Sequence, residues 1–261
     1  YLLLVSIDGL SFDAFRRHWR ALRWIDGIAR RGSFRPLRSS FPSMTWVAHT
    51  SLITGQHARH HGILGNRWSD AEGRYHRPMS DARVVRRRVA RVPSLLELAR
   101  QRKLSVASLN WPATQGLAGV RWNLPEIYGA RSSYRHASKA MRRLFDRYVA
   151  AHGAPRRDGR YRRNLLSRIA LKEGVEYDML LRDLAVRLVK GSSPPRIMLL
   201  HFLLPDSWMH RYGPSRLIER WSLELTDRAL GRVVKAYQGA GIWDKTAVLI
   251  TSDHGFAEVT H

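Results

Sequence analysis

Four short apolar runs set the frame of this chain: residues 2–7, 105–109, 197–204 and 247–251. Each is far too short to cross a bilayer and too uniformly apolar for a strand with one wet face, so each reads as a parallel strand buried on both sides. Helical patterns lie between them. Residues 93–102 open with Pro-Ser and carry Leu95, Leu96, Leu98 and Ala99. Residues 215–240 repeat Ile218, Trp221, Leu225, Ala229 and Val233 at helical spacing, and Gly239 and Gly241 end the run. Strands alternating with helices predict an α/β fold with a mainly parallel sheet flanked by helices on both faces. The stretch from about 130 to 193 breaks the alternation. It is rich in Arg and helical in pattern, interrupted at Gly153-Ala154-Pro155, and is expected to form a helical cap insertion over the sheet. Residues 1–261 are expected to form one domain.

Composition narrows the chemistry. With 44% hydrophobic residues the chain can bury a large core. It has no cysteine, so disulfides and thiolate metal sites are excluded, and any metal must rest on His, Asp, Glu or hydroxyl groups, a set that suits zinc or manganese. The net charge is +24, and 39 of the 45 basic residues are Arg. They are spread along the chain, with short clusters at Arg86-Arg87-Arg88 and Arg156-Arg157, as biased codon usage would produce. No specific nucleic-acid partner and no membrane span are expected; cellular location and oligomeric state are left open.

The acidic residues fall where a ligand would bind. Asp8 follows the first run, Asp206 the third, and Asp253-His254 the fourth. In open α/β sheets, ligands bind beyond the carboxyl ends of the strands. Carboxylates delivered to one edge from separate strands repel one another, and a bound cation removes that repulsion, so a metal cluster is expected. In SDHGF, residues 252–256, a turn at Gly255 can aim both Asp253 and His254 at one ion. Asp206 and His210 are four apart, hence on one face of a helical turn. Taken singly, either pair could be an ordinary solvated turn.

The most specific stretch is FPSMTWVAHTSLITGQHARHHGILGN, residues 41–66. Thr45 follows Pro42-Ser43, which mark a helix start. A hydroxyl there faces free backbone N–H groups and the positive end of the helix dipole, where a phosphate can be held; a lone Thr would more often be an N-cap. Asn66 can donate its amide to a phosphoryl oxygen. Of His49, His57, His60 and His61, most are expected to be structural or surface residues.

Assembled in order, Ile7-Asp8-Gly9, FPSMT…H…TG…HGI..N, NWPAT at 110–114, PD…H..GP and TSDHG resemble the type I phosphodiesterase / nucleotide pyrophosphatase family, over essentially the whole chain. The resemblance implies an alkaline phosphatase-like catalytic domain. It implies hydrolysis of phosphodiester or pyrophosphate bonds at a two-zinc site, with Mn2+ a second option, through a phospho-threonine intermediate. Asp8, Thr45, Asp253 and His254 would hold one zinc, and Asp206 and His210 the other. Thr45 would be the nucleophile, Asn66 would bind a phosphoryl oxygen, and Trp111 and Pro112 match a motif near the substrate pocket, with a pure packing role the equal alternative. The substrate would be a small phosphorylated molecule, a nucleotide or a phospholipid-type diester. Alternatives are a phosphomonoesterase or phosphonate hydrolase of the same superfamily, or a catalytically incomplete anion-binding protein. One family feature has no counterpart: a further His ligand of the second zinc, well downstream of SDHG. The chain stops at His261, so a C-terminally incomplete domain is expected.

Overall fold

A computed structural model describes residues 1–77, 90–127, 130–151 and 175–257. Its centre is a five-stranded sheet, all parallel, built from β1 (Leu2–Ile7), β4 (Val106–Trp111), β5 (Trp122–Pro125), β6 (Ile197–Phe202) and β7 (Ala247–Thr251) in the order β5-β4-β6-β1-β7. A two-residue-per-strand hairpin, β2 (Trp68–Ser69) with β3 (Tyr75–His76), stands apart from it.

The two faces of the sheet are read off alternate residues of its strands, as a period of two requires. Leu3, Val5 and Ile7 of β1 and Met198, Leu200 and Phe202 of β6 enter the larger core. Leu4 of β1 with Ile197 and Leu199 of β6 enters the smaller one. The larger core is closed by helices, chiefly α8 (Val175–Val189) and α10 (Arg216–Gly239), with α2 (Arg23–Arg31) beside α10. On the other face lie α3 (Thr45–Thr54) and α5 (Leu95–Gln101). The other α-helices among the described residues are α1 (Phe12–His18), α4 (Ala58–His61), α6 (Ala130–His136), α7 (Lys139–Ala151) and α9 (Leu204–Tyr212).

Several boundaries have visible causes. Ser94 and Glu97 form a reciprocal capping box that starts α5. The third apolar run ends as a strand at Phe202, two residues early, because the Asp178 carboxylate accepts the N–H groups of Leu203 and Leu204 and Pro205 stands in the first turn of α9. β5 was not expected from the sequence: it is four residues long and sits at the sheet edge. At the other edge β7 leaves Leu249 more than half exposed.

The described part of the 130–193 stretch is mostly helical, as α6, α7 and α8, but those helices belong to the sheet's covering layer. α7 packs on β5 and on α8, and α8 buries Tyr177, Leu180, Leu181 and Leu184 in the larger core. The central part of the expected cap, 152–174, lies outside the described residues, as do Arg86-Arg87-Arg88 and Arg156-Arg157.

Candidate metal centre

β1 and β7 are neighbours in the sheet, so the residues just past their ends meet. Asp8 and Asp253 are both buried, and the N–H of Gly9 donates to Asp253 Oδ1 at 3.3 Å. His254 supplies the focus. Its Nδ1 donates to the Gly255 carbonyl at 3.0 Å, so Nε2 is the ring nitrogen left facing the centre. Around that Nε2 stand Asp8 Oδ1 at 3.3 Å, Asp253 Oδ2 at 3.3 Å and Thr45 Oγ1 at 3.4 Å. Asp8 Oδ1 and Asp253 Oδ2 are buried and make no hydrogen bond. Three oxygens and an imidazole nitrogen in this arrangement are a donor set for a small divalent cation.

Thr45 is the first residue of α3, after an N-cap at Met44. Seven of the ten residues of α3 are buried, including Trp46, Val47 and Ile53, so the hydroxyl sits on a rigid support. Its own N–H, in the first turn, has no intrahelical partner. Asn66 Oδ1 accepts the N–H of Trp46 at 3.0 Å, which ties Asn66 to the same helix end and leaves its Nδ2 as the donor for a ligand.

Asp206 and His210 lie on α9, with Asp206 Oδ1 and His210 Nε2 3.4 Å apart. α9 approaches because residue 9 is glycine. Gly9 has φ +72°, and a Cβ there would stand 3.2 Å from Cα and Cβ of Asp206. Asp206 is close enough to raise the pKa of Asp8.

The carboxylates are crowded, and their pKa values are displaced accordingly. Burial pushes Asp8 well above the usual carboxylate range, and Asp253, Asp206 and Glu126 push the same way. Burial also acts to raise Asp253, but His49, His254 and His201 outweigh it and hold that carboxyl low. Asp206 is raised by burial, opposed by His210 and His254.

Trp111 is a correction to the sequence reading. It is fully buried in the smaller core, donates Nε1–H to the His49 carbonyl at 3.4 Å, and packs edge-on to the His49 ring; it has no surface to offer a substrate. His57 and His60 are exposed and His61 is buried on Ser51, as expected of structural and surface histidines. His49 is different. It lies beneath the centre, its Nδ1 on the Thr45 carbonyl at 2.8 Å and 3.7 Å from Asp253 Oδ2.

Two residues escaped the sequence reading. His201, buried in β6, reaches Asp8 Oδ2 at 3.2 Å; its signal was a lone imidazole within an apolar run. Glu126 is a fourth strand-end carboxylate, directly after β5, buried and pushed up to about 8 by desolvation, then by Asp253 and Asp206. Ligand atoms of His49, His201 and Asp253, and likewise of Asp8, Asp253 and His254, lie within 4.8 Å of one another.

A parallel sheet between helices, with acidic residues gathered at its carboxyl edge and a hydroxyl at a helix start, defines an alkaline phosphatase-like fold. The profile of the type I phosphodiesterase / nucleotide pyrophosphatase family matches residues 2–261, and the chain belongs to that family. It is 24% identical over 264 residues to human bis(5'-adenosyl)-triphosphatase ENPP4, covering 98% of this chain and 48% of that protein. Murine ectonucleotide pyrophosphatase / phosphodiesterase 5 superposes with a TM-score of 0.64 at 19% identity, over 97% of this chain and 57% of that one. A phosphonoacetate hydrolase from Sinorhizobium meliloti 1021 also superposes at 0.64, with 21% identity, over 97% of this chain and 55% of that one. The chain thus spans about half the length of the curated relatives it matches.

Proposed function

We propose that this chain is the core of a hydrolase that cleaves phosphodiester or pyrophosphate bonds through a phospho-threonine intermediate on Thr45, at a site for two zinc ions. The observation that carries the reading is the convergence of Thr45 Oγ1, Asp8 Oδ1 and Asp253 Oδ2 on His254 Nε2.

Asp8, Thr45, Asp253 and His254 would hold one ion; Asp206 and His210 would contribute to the second. When bound, zinc supplies positive charge that acidifies a hydroxyl and stabilises a leaving oxygen. Manganese suits the same donor set. The chain's own residues do the rest. Thr45 Oγ1 attacks phosphorus, the P–O bond to the leaving group breaks, and phosphorus is left bonded to Thr45. The Asn66 Nδ2 amide and the Thr45 N–H hold a phosphoryl oxygen as charge develops on it. Water then attacks the phospho-threonine from the vacated side and frees Thr45, so two inversions give net retention. Burial of Asp8 and Asp253 keeps water off the carboxylates and strengthens their hold on a cation.

Small nucleotide esters are the first substrates to test, given the activity named for the human relative. The experiment is hydrolysis of bis-p-nitrophenyl phosphate and of a dinucleoside triphosphate by the zinc-loaded chain. Acid quench during turnover should trap phosphate on Thr45. Turnover with no phosphate on Thr45 would sink the covalent route.

A further inference from the structure

We infer that His201 is a positioning residue that fixes Asp8 for cation binding, as the end of a buried polar chain running from helix α8 across the sheet; this rests on the proposed zinc site. The chain begins at Tyr177, whose OH donates to Asn110 Oδ1 at 3.1 Å. Asn110, in β4, has the left-handed φ of +59°, unusual for a residue with a side chain, at the point where the β4–β5 register shifts. That conformation accompanies a carbonyl turned onto β6, where it accepts from His201 Nδ1 at 3.0 Å. Asn110 Nδ2 in turn donates to the His201 carbonyl at 3.4 Å.

Since the Asn110 carbonyl can only accept, the Nδ1 proton is committed to it, and Nε2 is the atom turned toward Asp8 Oδ2, 3.2 Å away. Both groups are buried and stand at hydrogen-bonding distance, so ring and carboxyl are a pair. The two oxygens of Asp8 are thereby assigned different tasks. Oδ2 is held by His201, and Oδ1 faces His254 Nε2 and the cation position. Without His201 the carboxyl could rotate and exchange them.

A buried imidazole has two nitrogens to satisfy, and here Asn110 meets one and Asp8 the other. The contact to Asp8 joins His201 to the centre, in the way outer hydrogen bonds orient carboxylates that bind metals. An Ala at 201 would leave a cavity and blur the result, so two polar variants make the test. His201→Asn keeps a donor near the Asn110 carbonyl but is too short for Asp8. His201→Gln extends a donor to Asp8 and gives up Asn110.

Zinc affinity is measured by competition with a chromogenic chelator, after circular dichroism shows that each variant folds. We expect His201→Asn to bind zinc about 10- to 100-fold more weakly than the unaltered chain, the usual cost of losing such a partner, and His201→Gln to bind it within about fivefold. Equal affinity in the two variants would overturn the assignment. If either does not fold, Tyr177→Phe takes its place: a several-fold weaker zinc affinity is expected, and unchanged affinity overturns the proposal. Failure of the unaltered chain to bind zinc would instead overturn the metal-site reading itself, a separable result.

Discussion

Thr45 Oγ1 lies 3.4 Å from His254 Nε2, although one residue opens a helix on one face of the sheet and the other follows the edge strand β7. The contact exists because β1 and β7 are paired in register, so the turns after them share an edge, and because α3 points its N-terminus at that edge. A helix N-terminus with a hydroxyl at its first position, opposed by two buried carboxyls, is where a phosphoryl group and a cation can meet.

If Thr45 is the nucleophile, Thr45→Ala should lower turnover of a chromogenic diester by on the order of 10³-fold or more, since it removes the hydroxyl that forms the covalent bond. Zinc content and thermal midpoint should change little, because three other donors remain. Thr45→Ser keeps a hydroxyl at the same atom and should retain part of the activity. Near-normal turnover in the Ala variant would remove Thr45 from the mechanism.

Metal content should be asymmetric. Of the two proposed zinc sites, one has four donors here, Asp8, Thr45, Asp253 and His254, while Asp206 and His210 give the other only two groups, and zinc prefers three or four from the protein. Dialysed against buffer without free metal, the chain should keep about one zinc, and Asp253→Asn should lose it. Two ions retained by this chain would mean that another of its residues completes the second set, with Glu126 and His49 the first to examine.

Gly9 should tolerate no side chain. Its positive φ costs a non-glycine residue about 1–3 kcal/mol, and an added Cβ would press on the backbone of Asp206. Gly9→Ala should lower the thermal midpoint and also push α9 away, weakening retention of any second ion. A variant as stable as the parent would show that α9 shifts freely.

Much of the edge chemistry was legible in the sequence because short apolar runs announce parallel strands. Leu2–Ile7 is buried as its composition predicts, whereas Ala247–Thr251 proves to be an edge strand with no fully buried residue, yet the first carboxylate after each lands on the ligand-binding edge. Glu126 follows the same rule but was hidden, since Trp122–Pro125 is too short to stand out as a strand. His201 was masked by its surroundings: one imidazole among Leu199, Leu200 and Phe202 leaves the apolar pattern intact, and only the pairing of β6 with β1 brings it beside Asp8. Trp111 misled for a related reason. A motif places residues near a site in the chain, whereas which side of the strand the indole takes is set by backbone geometry at Asn110 and Trp111.

Glu126 makes the pH behaviour of the metal-free chain testable. In the fold its carboxyl holds a proton up to about pH 8, because burial and then the charges of Asp253 and Asp206 oppose ionisation. In the unfolded chain a glutamate ionises near pH 4.3. Between those values the folded state binds more protons than the unfolded state, so this group's contribution to stability is full at low pH and is lost as pH rises toward 8. Glu126→Gln is neutral at every pH and nearly the same shape. Thermal unfolding in the presence of a chelator should therefore show parent and variant with similar midpoints near pH 4.5 to 5. The variant should be increasingly the more stable as pH rises, with the difference levelling off above pH 8. With zinc bound, positive charge at Asp8 and Asp253 should favour the ionised carboxylate and shrink the gap. A difference between the two proteins that stays constant from pH 5 to 9 in the chelated state would mean that Glu126 is ionised in the fold throughout.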